Sequence, residues 1–289
     1  MQYVVGGLVV AALVAGLFLY CNRPLRVYID ADPPADFPEN AFSHEGFETL
    51  LERYVDTDGN VDYETWHGSE SSVASLDTYL AAVARFSPEN SPQRFPDDNA
   101  RLAYWLYGYN AYVIRSVIRN WPIESVTDLR APLEIIKGLG FFYRLRFSFG
   151  GEYFSLLGVE NGIIRKQFSD PRIHFVLNCA SESCPVARPE LPTGDALEQL
   201  MARAAIEFIN DPKNVSVDHD KQTVFLSSIF KWYEKDFVND LRAKGRLAER
   251  GLVDYVASIA TGTLRSDLER ANRYAVEFRD YDWHLNDTH

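Results

Sequence analysis

The chain has 289 residues, 46% of them apolar, enough for one large domain with a sizeable core and too apolar for wholesale disorder. A formal charge of −12 and a pI near 5.0 repel a phosphate backbone, so nucleic acid is not an expected partner. Three cysteines are too few for a disulfide framework.

Tyr3–Tyr20 carries no charge and is long enough to cross a bilayer. No Lys or Arg precedes it, and Phe18, Leu19 and Tyr20 are bulky where signal peptidase needs small residues. An uncleaved single-span anchor over 1–21 is therefore expected, rather than a cleaved signal or a buried core helix. Cys21 comes after Tyr20, which does not suit lipid attachment. Gly7, Ala11 and Ala15 form a small-residue stripe of the kind that packs helices in membranes, although ordinary small residues in a span look the same. Arg23 and Arg26 follow the span, and taken alone the positive-inside rule puts the bulk of the chain in the cytoplasm. Residues 22–40, with Pro24, Pro33, Pro34 and Pro38, read as a semi-rigid tether, and 41–289 as the globular domain.

Ser43–Tyr54 has helical spacing at Phe47, Leu50, Leu51 and Tyr54. Asp56–Glu64 superficially resembles a calcium loop, but Val61 and His67 stand where that loop needs Gly and Glu. A tight turn at Asp58-Gly59-Asn60 is expected instead. Ser75–Phe86 is a second helix, 87–96 a proline-rich loop, and Asp97–Asn120 the longest soluble helix, stopped by Pro122. Asn110 falls on its apolar stripe, where an amide must have its hydrogen bonds met. It either ties helix to loop or belongs to a site. Phe141–Phe149 and Glu152–Phe154 flank Gly150-Gly151 as a hairpin, with Arg144 and Arg146 on one face, solvated or meeting an anionic ligand. Ser155 caps a helix through Gln167. Glu160, four after Leu156 and four before Ile164, points inward and needs a partner, such as an Arg, or a shifted pKa.

Asp170–Pro185, DPRIHFVLNCASESCP, concentrates reactive groups as no other stretch does. Arg172–Asn178 reads as a short strand, with His174, Val176 and Asn178 on one face. Continued to Cys179, that strand turns the thiol away from His174, whereas a turn through Ala180–Ser183 can bring Cys184 back. Cys184 is thus the preferred partner of His174. Beyond it, Asp195–Asn210 is helical, and Val215–Val217 pairs with Thr223–Leu226. Ser227–Asp236 is an aromatic-rich helix, read as core rather than ligand platform. Leu247–Ala260 is a further helix and Tyr274–Phe278 a late strand.

Five pieces together resemble the domain of unknown function 547 family: RLAYWLYGYNAY, FSLLGVENGIIR, DPRIHFVLNCASESCP, FLSSIFKWYEKDF and YDWHLND. The likeness runs from about Phe47 to Asp287. Where the family usually has a second Asn, three before Asn110, this chain has Tyr107. The resemblance implies no settled activity, but it does imply an exported or anchored domain, hence an extracytoplasmic one.

The expected fold is α+β: one helix-rich domain around a small, mostly antiparallel sheet, preceded by one N-terminal transmembrane helix. Three functional readings stand. In a membrane-anchored binding or scaffold module, Cys179 and Cys184 form a disulfide and His174 is a satisfied core residue. In a cysteine-dependent hydrolase or acyltransferase, Cys184 is the nucleophile, His174 the base, Glu160 its orienting group, and Asn110 or loop N–H groups stabilise an oxyanion. In a metal site, His174, Cys179 and Cys184 lack an evident fourth ligand. No cofactor or metal is expected, and the small-molecule or peptide ligand is not legible.

Overall fold

The computed structural model describes residues 16, 20, 22–132, 134, 137–246 and 249–288. The expected span Tyr3–Tyr20 lies, but for Gly16 and Tyr20, outside the described residues. Among the described residues no helix is long and apolar enough to cross a membrane.

The core is built on one helix. Asp97 accepts the Ala100 N–H and so caps α4 (Asp98–Asn120), whose middle from Leu102 to Ile118 is buried almost all round. Such a helix must be covered on every side. The cover comes from α1 (Glu45–Tyr54), α2 (Tyr63–Gly68), α3 (Glu70–Arg85) and, further along the chain, α6 (Asp195–Asn210). Aromatic rings fill the joints: Phe47 stacks on Tyr79, and Tyr54 on Trp66. The Asp56–Asn60 turn is closed by Asp56, whose carboxylate accepts the Asp58 and Asn60 N–H groups, and Val55 and Val61 bridge across it.

Among the described residues two three-stranded sheets flank this bundle. In the first, β2 (Leu145–Phe149) and β3 (Glu152–Phe154) form a hairpin around Gly150 and Gly151, both at positive φ as a two-residue turn requires. β1 (Leu25–Arg26) adds in parallel, Leu25 opposite Leu145. In the second, β4 (Val215–Asp218) pairs antiparallel with β5 (Thr223–Leu226), and β6 (Ala275–Phe278) lies parallel to β5. The expected single, mostly antiparallel sheet is thus corrected to two mixed sheets. Both added strands come from near the ends of the described chain.

Four local expectations also change. α5 covers 156–167 but is not a plain α-helix, because Glu160–Ile164 is a π turn between Leu156–Val159 and Arg165–Gln167. A second π turn, Gly140–Arg144, replaces the first half of the expected 141–149 strand. The helix read over Ser227–Asp236 breaks at Tyr233 into α7 (Ser228–Trp232) and α8 (Glu234–Ala243). Ile229, Phe230 and Phe237 are core as expected, but Trp232 is 47% exposed. α9 (Leu252–Ile259) starts later than expected, and α10 (Gly262–Arg270) follows it.

Candidate functional site

The stretch read as a strand, Arg172–Asn178, is not one. Pro171–Phe175 is a 3-10 helix, started by Asp170, which accepts the Arg172 N–H, and by Pro171 in the first turn. The backbone then runs on irregularly, and side chains satisfy it. Asn110 donates from Nδ2 to the Val176 carbonyl at 3.0 Å and accepts the Asn178 N–H on Oδ1 at 2.9 Å. One amide on α4 therefore does what a neighbouring strand would have done. Asn178 in turn accepts the Ala180 N–H at 2.8 Å and donates to the Pro185 carbonyl at 2.7 Å, closing the loop on itself.

That closure brings the two thiols together. Both cysteines are free and half-buried, with Sγ atoms 2.6 Å apart. This is closer than ordinary sulfur contact and longer than the bond of about 2.05 Å in a disulfide. Their surroundings differ. The Cys179 sulfur also meets the Ser181 hydroxyl at 3.2 Å and the Tyr281 hydroxyl at 3.0 Å. The Cys184 sulfur accepts the Cys179 N–H at 2.8 Å. Burial pushes both thiols up. At Cys179, hydrogen bonds from Cys184, Ser181 and Tyr281 outweigh it and hold the thiol below its ordinary range. At Cys184, burial prevails and the neighbouring Cys179 adds to it. The pair thus shares a first proton loss centred on Cys179 and resists a second. Burial and the nearby sulfurs raise the Tyr281 phenol, which keeps it a donor.

His174 is buried beside the pair, with its ring stacked on Tyr233 at 3.7 Å between centroids. Its Nε2 lies 2.9 Å from Asp236, and its Nδ1 faces Glu160 Oε1 at 4.0 Å. The carboxylate that holds the imidazole is therefore Asp236, at the start of α8. Arg165 grips Asp236 through two nitrogens at 2.6 and 2.9 Å. Burial pushes the Asp236 carboxyl up, but His174 and Arg165 outweigh it and hold it well below the usual carboxylate range. No arginine clamps Glu160, although the Tyr233 phenol is a hydrogen-bonding neighbour of its carboxylate. Glu160 is 6% exposed, and its Oε1 meets no hydrogen-bond donor among the described residues.

Cys179, Cys184, His174 and Glu160 all line one largely apolar cavity of about 370 Å³. Much of the rest of its wall is aromatic: Tyr109 of α4, Phe142 and Tyr143 of the Gly140–Arg144 π turn, Trp232 and Tyr233 around the α7–α8 break, and Tyr281 and Trp283 of the C-terminal tail; Lys137 lines it too. Of the four residues singled out in the sequence, Cys184, His174 and Glu160 meet there. Asn110 sits behind, on the backbone of the thiol loop. Both ring nitrogens of His174 face carboxylates rather than a sulfur. Asp236, Tyr281 and Ser181 were not read as site residues. Tyr281 and Trp283, two apart in an irregular tail, carried one usable signal, since extended backbone puts such a pair on one face. Among the described residues no three His, Cys, Asp or Glu side chains are placed to hold a metal ion.

Residues 92–209 match the family model described as Protein of unknown function, DUF547, which covers α4, the π turns and the thiol loop. The chain resembles that family over the stretch that builds most of the cavity. No curated protein and no solved structure matches the chain.

Proposed function

We propose that the domain is a thiol–disulfide oxidoreductase held at a membrane by the apolar run Tyr3–Tyr20, with Cys179 as the attacking thiolate and Cys184 as the resolving thiol. The observation that carries this is the pairing itself: two free sulfurs 2.6 Å apart, one favoured as thiolate and the other as thiol. Exchange chemistry needs that asymmetry. The Cys179 thiolate attacks one sulfur of a substrate disulfide and expels the other as a thiolate, leaving a mixed disulfide. Cys184 gives up its proton and attacks the Cys179 sulfur. The substrate's second thiolate departs, and a Cys179–Cys184 disulfide remains. The substrate gains two electrons and the protein loses two. Run in reverse, the same steps oxidise a substrate dithiol. An extracytoplasmic position suits either direction.

A second reading has one observation in its favour. Cys184, His174 and Glu160 share a cavity, as a cysteine hydrolase or acyltransferase would need. The dithiol reading is preferred because both ring nitrogens of His174 face carboxylates, leaving neither on a sulfur, and because acyl transfer has no use for a second thiol in contact with the first. Asn110, proposed from the sequence as an oxyanion donor, instead serves this reading as the clamp that shapes the loop.

The test uses full-length protein, reduced, desalted and treated with oxidised glutathione. The dithiol reading expects Cys179–Cys184 closure, seen as the loss of two hydrogens in the intact mass. Cys184→Ser is expected to stop at a mixed disulfide on Cys179. Rapid acylation of Cys184 by an activated ester, with no glutathione-driven closure, would move the assignment to acyl transfer. If neither thiol reacts faster than a free cysteine, a binding or scaffold role is left.

A further inference from the structure

We infer that the cavity beside the thiol pair receives the ring of a lipid-soluble quinone, which withdraws two electrons from the dithiol. This rests on the oxidoreductase reading above and names the small-molecule partner of the same site.

Three features point the same way. The first is shape and lining. A volume of about 370 Å³ lies at the small end of ligand cavities, and its walls offer planar aromatic faces. Trp232, Tyr281 and Trp283 form one packed cluster, with centroids 4.7 Å apart for Trp232 and Tyr281 and 4.6 Å for Tyr281 and Trp283. A flat ring lies against such faces at little cost in ordering.

The second is a pair of oxygen-handling groups among the polar side chains of a largely apolar lining that also includes Lys137, Tyr233 and Tyr281. Glu160 Oε1 is buried and lacks a donor, an arrangement that costs free energy until a donor arrives. Burial, with the Glu160 charge adding, raises the Tyr109 phenol and keeps it a proton-bearing donor. A quinone oxygen accepts from such a phenol, and the hydroquinone hydroxyl that replaces it donates to such a carboxylate. The site therefore has a partner for each redox form.

The third is location. Tyr143 is 49% exposed, Trp232 47% and Leu157 38%, so the cavity carries an apolar rim. The tether arrives at the same wall. β1 pairs Leu25 with Leu145, and Arg144, next to Tyr143, donates to the Arg23 carbonyl at 3.2 Å. Arg23, which follows the apolar run 3–20 in sequence, thus lies directly beside the rim. With that run in a bilayer, the mouth lies at the lipid interface, where exposed Trp and Tyr are at home and where a lipid-soluble acceptor is concentrated.

The step balances. The Cys179 thiolate adds to a ring carbon, a C–S bond forms, and the electron pair moves onto a quinone oxygen, which takes a proton. Cys184 loses its proton and attacks the Cys179 sulfur. The S–S bond forms, the C–S bond breaks, and its electron pair moves onto the second quinone oxygen, which takes the proton that Cys184 gave up. Two thiol hydrogens have become those of the hydroquinone.

The experiment uses the full chain, reduced, in phosphatidylcholine vesicles, with a decyl-substituted benzoquinone as probe and oxidised glutathione in a parallel arm. The expected result is one hydroquinone per Cys179–Cys184 disulfide. Glu160→Gln and, separately, Trp232→Ala should lower the quinone rate about tenfold more than the glutathione rate, as loss of one buried hydrogen bond or ring contact implies. Closure by glutathione but not by quinone overturns the quinone assignment and leaves the oxidoreductase standing. Quinone adducts on the thiols without a disulfide overturn it as well. Closure by neither oxidant removes the oxidoreductase reading itself.

Discussion

Asn110→Ala separates a residue that shapes the thiol loop from one that takes part in its chemistry. The side chain makes two bonds to backbone, 3.0 Å to the Val176 carbonyl and 2.9 Å from the Asn178 N–H, and both of those residues are buried. Truncation leaves one acceptor and one donor without a partner, at about 1–3 kcal/mol each, hence roughly 3 kcal/mol in total after partial relaxation. For a domain of this size that lowers Tm by about 6–12 °C. Thermal unfolding followed by tryptophan fluorescence reads the loss, and iodoacetamide labelling at neutral pH reads the geometry of the pair. The expected outcome is a drop in Tm together with a loss of the rate difference between Cys179 and Cys184. Asn110→Asp keeps the acceptor but sets a buried anion against a carbonyl, so it should be no more stable than Asn110→Ala at neutral pH and should recover on acidification. A Tm within about a degree of wild type, with thiol chemistry abolished, would refute the clamp and return Asn110 to a direct role.

Tyr281→Phe removes one of the donors that hold the Cys179 thiol below its ordinary range, so its apparent pKa should rise, and its alkylation rate at pH 7 should fall severalfold with little change at pH 10. Asp236 has a depressed folded-state pKa, so its contribution is full above the unfolded value near 3.9 and is lost as pH falls through the folded one. Asp236→Asn should cost about 2 kcal/mol at neutral pH by urea titration and flatten the acid limb below pH 4. His44 is buried against Tyr79, and burial lowers its pKa to about 3. The unfolded chain therefore binds a proton below about 6.5 that the folded chain refuses until about 3. Stability should fall by about 1.4 kcal/mol per pH unit across that window, and His44→Asn should remove the slope.

What the sequence revealed was local, and what it concealed was long-range. α4 was legible because its stripe, its Asp97 cap and the Pro122 stop lie within one stretch. The Gly150-Gly151 hairpin was legible for the same reason. Two mixed sheets were not, since β1 joins β2 across about 120 residues and nothing in Leu25–Arg26 announces a parallel partner. Ile173, Phe175 and Val176 look like strand residues. They are buried as strand residues would be, but the Asn110 amide, more than 60 residues earlier, takes the Val176 carbonyl and the Asn178 N–H. Tertiary hydrogen bonding overrode local propensity there. The inward phase of Glu160 was readable from Leu156 and Ile164, yet the π turn that begins at Glu160 was not.

The same limits explain the site. Face counting reached the inward turn of Glu160, but the strand on which it placed His174 is a 3-10 helix, and the groups that tune the site were not legible. Asp236 looked like a polar helix residue, and Tyr281 like part of a tail. One consequence binds these pieces together. The Glu160 charge opposes a thiolate at Cys179, while the Arg165 guanidinium hydrogen-bonds Asp236 rather than Glu160. Glu160 thus holds Cys179 back for as long as no donor reaches its Oε1. A ligand hydroxyl that does so, or Glu160→Gln, relieves the repulsion and should speed iodoacetamide labelling of Cys179 at neutral pH. The same substitution should slow reaction with a quinone that needs the carboxylate. Opposite signs on the two reagents follow from a carboxylate that both restrains the thiol and receives the ligand, whereas a purely structural Glu160 would move both rates together.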